Sequence, residues 1–211
     1  MSLVLPNWDR AVTEIKKLKK ANPDLIGKAK SLGGMYRNKR GLMVVDCVAS
    51  RQRRYESFVV PKLLPIYVDK AEDLSLNALA RKAPKWMPLK NGEAETMQLV
   101  AKLLIAYGKK YGISDENKIC KEWADDISAH EKMLEIKGIG PALLQYLRML
   151  SGANSLKVDV RVIEELEKLG LPIQWFSPDG ILKICENLAK DAGCSLIELD
   201  QILWHTNQLY K

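Results

Sequence analysis

The segment from Met133 to Leu144, Met-Leu-Glu-Ile-Lys-Gly-Ile-Gly-Pro-Ala-Leu-Leu, sets Gly138 and Gly140 two residues apart and follows them at once with a proline. That order suits anion chemistry. Glycines let the backbone turn tightly and approach a phosphate, and Pro141 opens a helix whose first N–H groups point at the anion. Lys137 adds a cation, Ile139 inside the turn joins Gly138 and Gly140 as a candidate DNA contact, and Leu134 and Ile136 supply packing. The pattern is that of a helix-hairpin-helix; an ordinary turn between two helices would use the same glycines for positive φ. Arg51, Arg53, Arg54 and Arg161 are further candidates for phosphate contacts, or else solvated surface cations.

Metal and redox chemistry find no such support. Cys47, Cys120, Cys185 and Cys194 form no C-x-x-C pair, and His130 and His205 lie far apart, so no zinc or iron–sulfur spacing is present. Buried free thiols are the expectation, with no cofactor and no metal.

These residues must be carried by helices. The chain has 211 residues, 47% of them hydrophobic, and a formal net charge of +7, enough for one substantial unit or two small lobes and favourable to a polyanionic partner. No apolar run reaches the roughly 18 residues of a membrane span, and the first residues lack the charge-then-apolar order of a signal peptide. A soluble protein of the cytoplasm or nucleoid is expected. Apolar residues recur at helical spacing almost throughout. Trp8, Val12, Ile15 and Leu18 form one stripe, and Asn22-Pro23-Asp24 restarts a helix with cap, proline and first-turn acid. Residues 31 to 41, with three glycines and three cations, read as a linker. Residues 42 to 64 read as two helices meeting near Arg51 to Arg54, with a strand pair at Leu42 to Val48 as the alternative. Further helices are expected at 73 to 83, 93 to 110, 115 to 126, 129 to 135, 141 to 150 and 160 to 169, with two more opened by Ser177-Pro178 and Ser195. Ser128 to Glu131 and Ser195 to Glu198 match capping boxes. The fold class is all-α.

After the hairpin's second helix and Gly152 comes Leu156-Lys157-Val158-Asp159-Val160-Arg161-Val162, where Asp159 heads a helix that it is suited to cap. Hairpin and Val-Asp together resemble the helix-hairpin-helix DNA glycosylase superfamily, the group of endonuclease III, adenine-mismatch and alkyladenine glycosylases. The likeness spans residues 42 to 205, and its specific part is 133 to 162. It implies a two-lobed architecture, with residues 1–34 and 154–211 in one helical lobe and 35–153, containing the hairpin at 129–150, in the other. It also implies that Asp159 is the catalytic carboxylate. Val48-Ala49-Ser50-Arg51-Gln52 is similar to the segment where a polar residue probes the gap left by the flipped nucleotide, a role that falls to Gln52. Tyr36, Trp86, Trp123 and Tyr146 are candidates for stacking on the extruded base, or else core aromatics.

The chain departs from that pattern at several points. Ala142 stands where lyase-active members carry lysine, so the hairpin offers no amine for a Schiff base. Leu144 replaces a small residue and Arg161 the usual histidine, and the C-terminal four-cysteine cluster is absent. The resemblance implies a monofunctional DNA glycosylase acting as a monomer on duplex DNA, with no membrane partner. A nucleobase-modifying transferase on the same scaffold and a non-catalytic DNA-binding module are the alternatives.

Overall fold

The computed structural model describes residues 5–209, with side chains through residue 206. These residues form helices and loops with no strand. Contacts divide the chain into two units, one made of the segments up to Leu32 and from Asn154 onward, the other of Gly33–Ala153.

Chain order opens with α1 (Trp8–Ala21) and α2 (Pro23–Ser31) in the first unit. The second unit holds α3 (Arg40–Ala49), a π-helix (Tyr55–Leu63), α4 (Leu64–Lys70), α5 (Leu76–Arg81), α6 (Glu93–Tyr111), α7 (Glu116–Asp125), α8 (His130–Leu134) and α9 (Pro141–Ser151). The chain then returns to the first unit with α10 (Val160–Lys168), α11 (Pro178–Ala192) and α12 (Leu196–Leu209).

In the first unit, Ala11, Ile15 and Leu18 of α1 recur at three and four residues and bury one stripe against Leu166, Ile184, Leu188, Leu199 and Ile202. The ends are fixed by side chains. Asn22 does not cap α2; its amide instead donates to the Leu18 carbonyl at 2.9 Å and closes α1. Ser195 and Glu198 make the expected reciprocal box at the start of α12. Glu198 accepts from the Ser195 N–H at 2.9 Å, and the Ser195 hydroxyl accepts from the Glu198 N–H at 3.3 Å.

In the second unit every residue of α3 is buried, so its near-continuous apolar run is a central helix and not a strand pair. Gly41 permits this. A Cβ there would strike the backbone of Leu74 and Ser75, whose loop lies against the start of α3. Arg40, buried beside Gly41, donates to the carbonyls of Leu150 at 3.0 Å and Gly33 at 3.3 Å. The helix expected after Arg54 is wound as a π-helix, and Pro61 within it has no N–H to give to a tighter ladder.

Candidate functional site

α8 and α9 build the hairpin. Ser128 does not open it with a capping box, as the pattern predicts. Asp126 takes that place, accepting from the Ser128 N–H at 3.1 Å and from its hydroxyl at 2.6 Å, and a 3-10 turn (Ile127–Ala129) precedes α8. The carboxylate is the stronger acceptor, so Ser128 becomes a donor. Behind the hairpin, Trp123 is 0% exposed, its ring 5.2 Å from that of His130. The expectation that Trp123 stacks on a base is therefore corrected: α7 buries it in the core, where no ligand reaches its face.

Between the helices, Gly138 has φ +97°, and a Cβ there would collide with the Arg51 guanidinium. Ile139 is 5% exposed and spends its N–H on the Ile136 carbonyl at 2.9 Å. It anchors the turn and offers neither side chain nor amide outward, which corrects its place among the phosphate contacts. Gly140 is different. It precedes α9 with φ −105°, faces open space at its Cβ position, and no side chain caps the helix that follows. The N–H groups of Ala142 and Leu143, in the first turn of α9, have no intrahelical acceptor. Lys137, in the turn before Gly138, is exposed.

The turn is held from below by a buried acid that the sequence reading passes over. Glu93, the first residue of α6, is 0% exposed and accepts from Arg53 Nη1 and Nη2 and from the Lys90 N–H at 2.9 Å. Arg51 reaches the same carboxylate at 3.5 Å and donates to the Gly138 carbonyl at 3.4 Å. The Thr96 hydroxyl donates to the Lys137 carbonyl at 2.8 Å. Arg53, its side chain 7% exposed, is thus a brace and not a phosphate ligand, because its guanidinium is already engaged. Arg51 is a half-buried brace as well, while Arg54 is exposed.

The same brace carries Gln52. Its backbone is left-handed, with φ 51°, its side chain is exposed, and the Lys90 ammonium holds its carbonyl at 3.3 Å. A non-glycine residue with positive φ is uncommon and is tolerated where the surroundings impose it.

A second buried acid explains the tyrosines. The hydroxyls of Tyr36, Tyr55 and Tyr146 lie 2.7, 3.0 and 3.2 Å from Asp46 Oδ2, and Tyr146 also donates to the Tyr55 hydroxyl at 3.1 Å. Burial, and then the Asp46 charge, push the Tyr36, Tyr55 and Tyr146 hydroxyls above the usual phenol range. Tyr36 is buried with its hydroxyl committed to this cluster, so it is not an open stacking surface; Tyr146 is part-buried. Trp86 keeps an exposed edge while stacking on Tyr67, ring centroids 6.0 Å apart. An acid inside the apolar run of α3 was the signal for Asp46, since a buried charge demands partners.

In the first unit, Asp159 caps α10. Its Oδ1 accepts from the N–H groups of Arg161 at 3.1 Å and Val162 at 3.2 Å, and its Oδ2 lies 3.6 Å from the Lys157 ammonium. The side chain retains 23% exposure. Arg161 is exposed, with its guanidinium 4.2 Å above the Trp204 ring. Cys47, Cys120 and Cys185 are buried thiols, and no three metal-ligating side chains converge among the described residues. No helix among them is long and apolar enough to cross a membrane.

The arrangement is similar to a solved structure, the 8-oxoguanine DNA glycosylase of Methanocaldococcus jannaschii. The TM-score is 0.52 at 18% identity, over 93% of this chain and 92% of that one. The chain shares the all-α fold of that structure. At that identity the likeness extends to the all-α architecture and no further. No protein-family model matches the sequence, and no curated protein matches it.

Proposed function

We propose that the protein is a monofunctional DNA glycosylase that releases a damaged, mismatched or otherwise modified base from duplex DNA after extruding its nucleotide. The observation that carries this reading is the uncapped start of α9 behind Gly140, braced through Arg51 to the loop that exposes Gln52. Phosphate oxygens would complete the open N–H groups, with Lys137 adding charge, and Arg161 is a separate candidate contact to DNA. Gln52 would enter the space the nucleotide leaves.

Breaking the N-glycosidic bond develops positive charge on the sugar. An ionised carboxylate stabilises that charge more in the transition state than in the bound substrate. Asp159 has this role: one oxygen is tied to the helix, the other lies 3.6 Å from the Lys157 ammonium, and the side chain is 23% exposed. Ala142 supplies no amine, so base release is hydrolytic and leaves an abasic site.

The test is incubation of the purified protein with a panel of duplexes, each carrying one altered base, followed by hot alkali to cut at abasic sites. Because the similar solved structure is an 8-oxoguanine DNA glycosylase, 8-oxoguanine heads the panel. A new alkali-labile site on one duplex supports the proposal. A changed base mass without such a site would point to base modification, and binding without either change to a DNA-binding module.

A further inference from the structure

Asp200 lies on α12 among Leu199, Ile202 and Leu203 and is buried with them. Placing a carboxylate there is costly unless hydrogen bonds compensate it. Its Oδ1 accepts from the Lys157 N–H at 2.9 Å, and its Oδ2 from the Gln201 amide at 3.2 Å. Lys157 is in turn tied twice to Asp159. The Lys157 carbonyl accepts the Asp159 N–H at 2.8 Å, and the Lys157 ammonium lies 3.6 Å from Asp159 Oδ2. The cap on α10 holds Asp159 Oδ1 only. The direction of the other oxygen depends on where Lys157 sits, and Asp200 grips the Lys157 backbone.

We infer that Asp200 is a positioning residue for Asp159, fixing through the Lys157 amide the turn on which the catalytic carboxylate is mounted. The inference rests on the reading of Asp159 given above. Asp200 acts from the core. Burial, joined by the Asp159 charge, raises its carboxyl to about 7, while the Lys157 contacts pull it back. The groups facing it are Lys157 and Asp159 from the loop before α10, Cys185 from α11, and Gln201 on its own helix.

The experiment compares full-length Asp200→Asn, which keeps an oxygen for the Lys157 N–H, with Asp200→Ala, which does not. Single-turnover base release from the duplex identified by the panel should fall roughly 10- to 100-fold in the alanine variant, as displaced catalytic groups do. It should stay near wild type in the asparagine variant, with DNA affinity unchanged in both. The Asp159 carboxyl carbon, assigned by its loss in Asp159→Asn, should move in the carbon NMR spectrum of Asp200→Ala and stay in place in Asp200→Asn. If the alanine variant does not fold, Asp200→Leu, which fills the site, carries the same expectation. Wild-type release with an unmoved Asp159 signal in the alanine or leucine variant overturns the inference. So does an asparagine variant as impaired as alanine. A wild-type protein that releases no base would defeat the proposed function, while the Asp159 signal would still decide the positioning.

Discussion

Arg53 grips Glu93 with both terminal guanidinium nitrogens, at 2.9 and 2.6 Å, and the carboxylate is sealed from solvent. Two loops depend on that pair. Arg53 also donates to the Ala49 carbonyl at 3.1 Å at the end of α3, while Arg51 links the same acid to Gly138. A cation that reads as a phosphate ligand in sequence is an internal strut that holds the Gln52 loop against the hairpin.

Arg53→Ala should therefore act on stability. Removing the bidentate partner of buried Glu93, with Arg51 at 3.5 Å left to offset part of the charge, should cost about 3 kcal/mol in urea unfolding. Lys137→Ala should leave stability within about 0.5 kcal/mol and lower the slope of log affinity against log salt by about 1. An Arg53→Ala protein of normal stability with a reduced salt slope would reverse the assignment.

The two hairpin glycines should behave differently. Gly140→Ala fits open space at a negative φ, so it should keep the circular dichroism and melting temperature while weakening duplex binding by holding the backbone off the phosphate. Gly138→Ala combines a positive φ with a collision against Arg51, so it should lower stability as well. Unchanged affinity in Gly140→Ala would reduce the hairpin to an ordinary turn.

Asp159→Asn should abolish base release and leave binding intact or tighter. Asparagine caps a helix as well as aspartate does, so α10 should persist. Losing one preorganised electrostatic contact costs about 10²–10³ in rate at comparable sites. Removing a negative charge near phosphates also favours the ground-state complex. Wild-type turnover would take Asp159 out of the mechanism, and loss of folding would leave it as a cap alone.

Borohydride should trap little covalent complex on a preformed abasic site, because Ala142 offers no amine. Efficient trapping would turn attention to Lys157, whose ammonium lies 3.6 Å from Asp159 Oδ2. Mass mapping of the adduct would then identify the lysine.

Asp200 should also leave a mark on the pH dependence of stability. Its carboxyl holds a proton up to about 7 when folded and releases it near 4 when unfolded. The folded state binds the extra proton between those values, so this contribution is fully present below pH ~4, falls as pH rises toward 7 and is level above. Asp200→Asn lacks the decline. Its melting temperature should gain on wild type from pH 4 to 7 and hold that margin at pH 8. A margin constant with pH would show that Asp200 is ionised throughout.

The helices were legible because their punctuation is local: Gly112 ends α6, Ser177-Pro178 opens α11, and Ser195 with Glu198 opens α12. α3 was ambiguous because a segment buried on all sides loses its period, and only Gly41 against the Leu74–Ser75 backbone makes its central place plain. The π-helix was legible only as a helix, since Pro61 within it removes one donor without fixing how the rest is wound. Gly138 and Gly140 were readable as a tight turn before a helix, and Asp159 as a helix cap. Asp46 left only the sign of an acid within an apolar run, and Glu93 left none, because Arg53 comes to it from 40 residues away. Glu93 resembles any acid in a first helical turn until Arg53 is brought to it.

Gly33 and Gly152 stand almost backbone to backbone, so close that a Cβ on Gly33 would lie 2.5 Å from the Gly152 Cα, and Arg40 ties Gly33 to Leu150. The stretch Gly33–Ala153 therefore leaves and rejoins the polypeptide at neighbouring points, in the manner of a nested insertion. Such a segment is suited to excision at the gene level. Its two ends could be joined by a short peptide into a circle, or the cut could be moved to an outer loop to make a permuted chain, with little entropy spent on closing the gap.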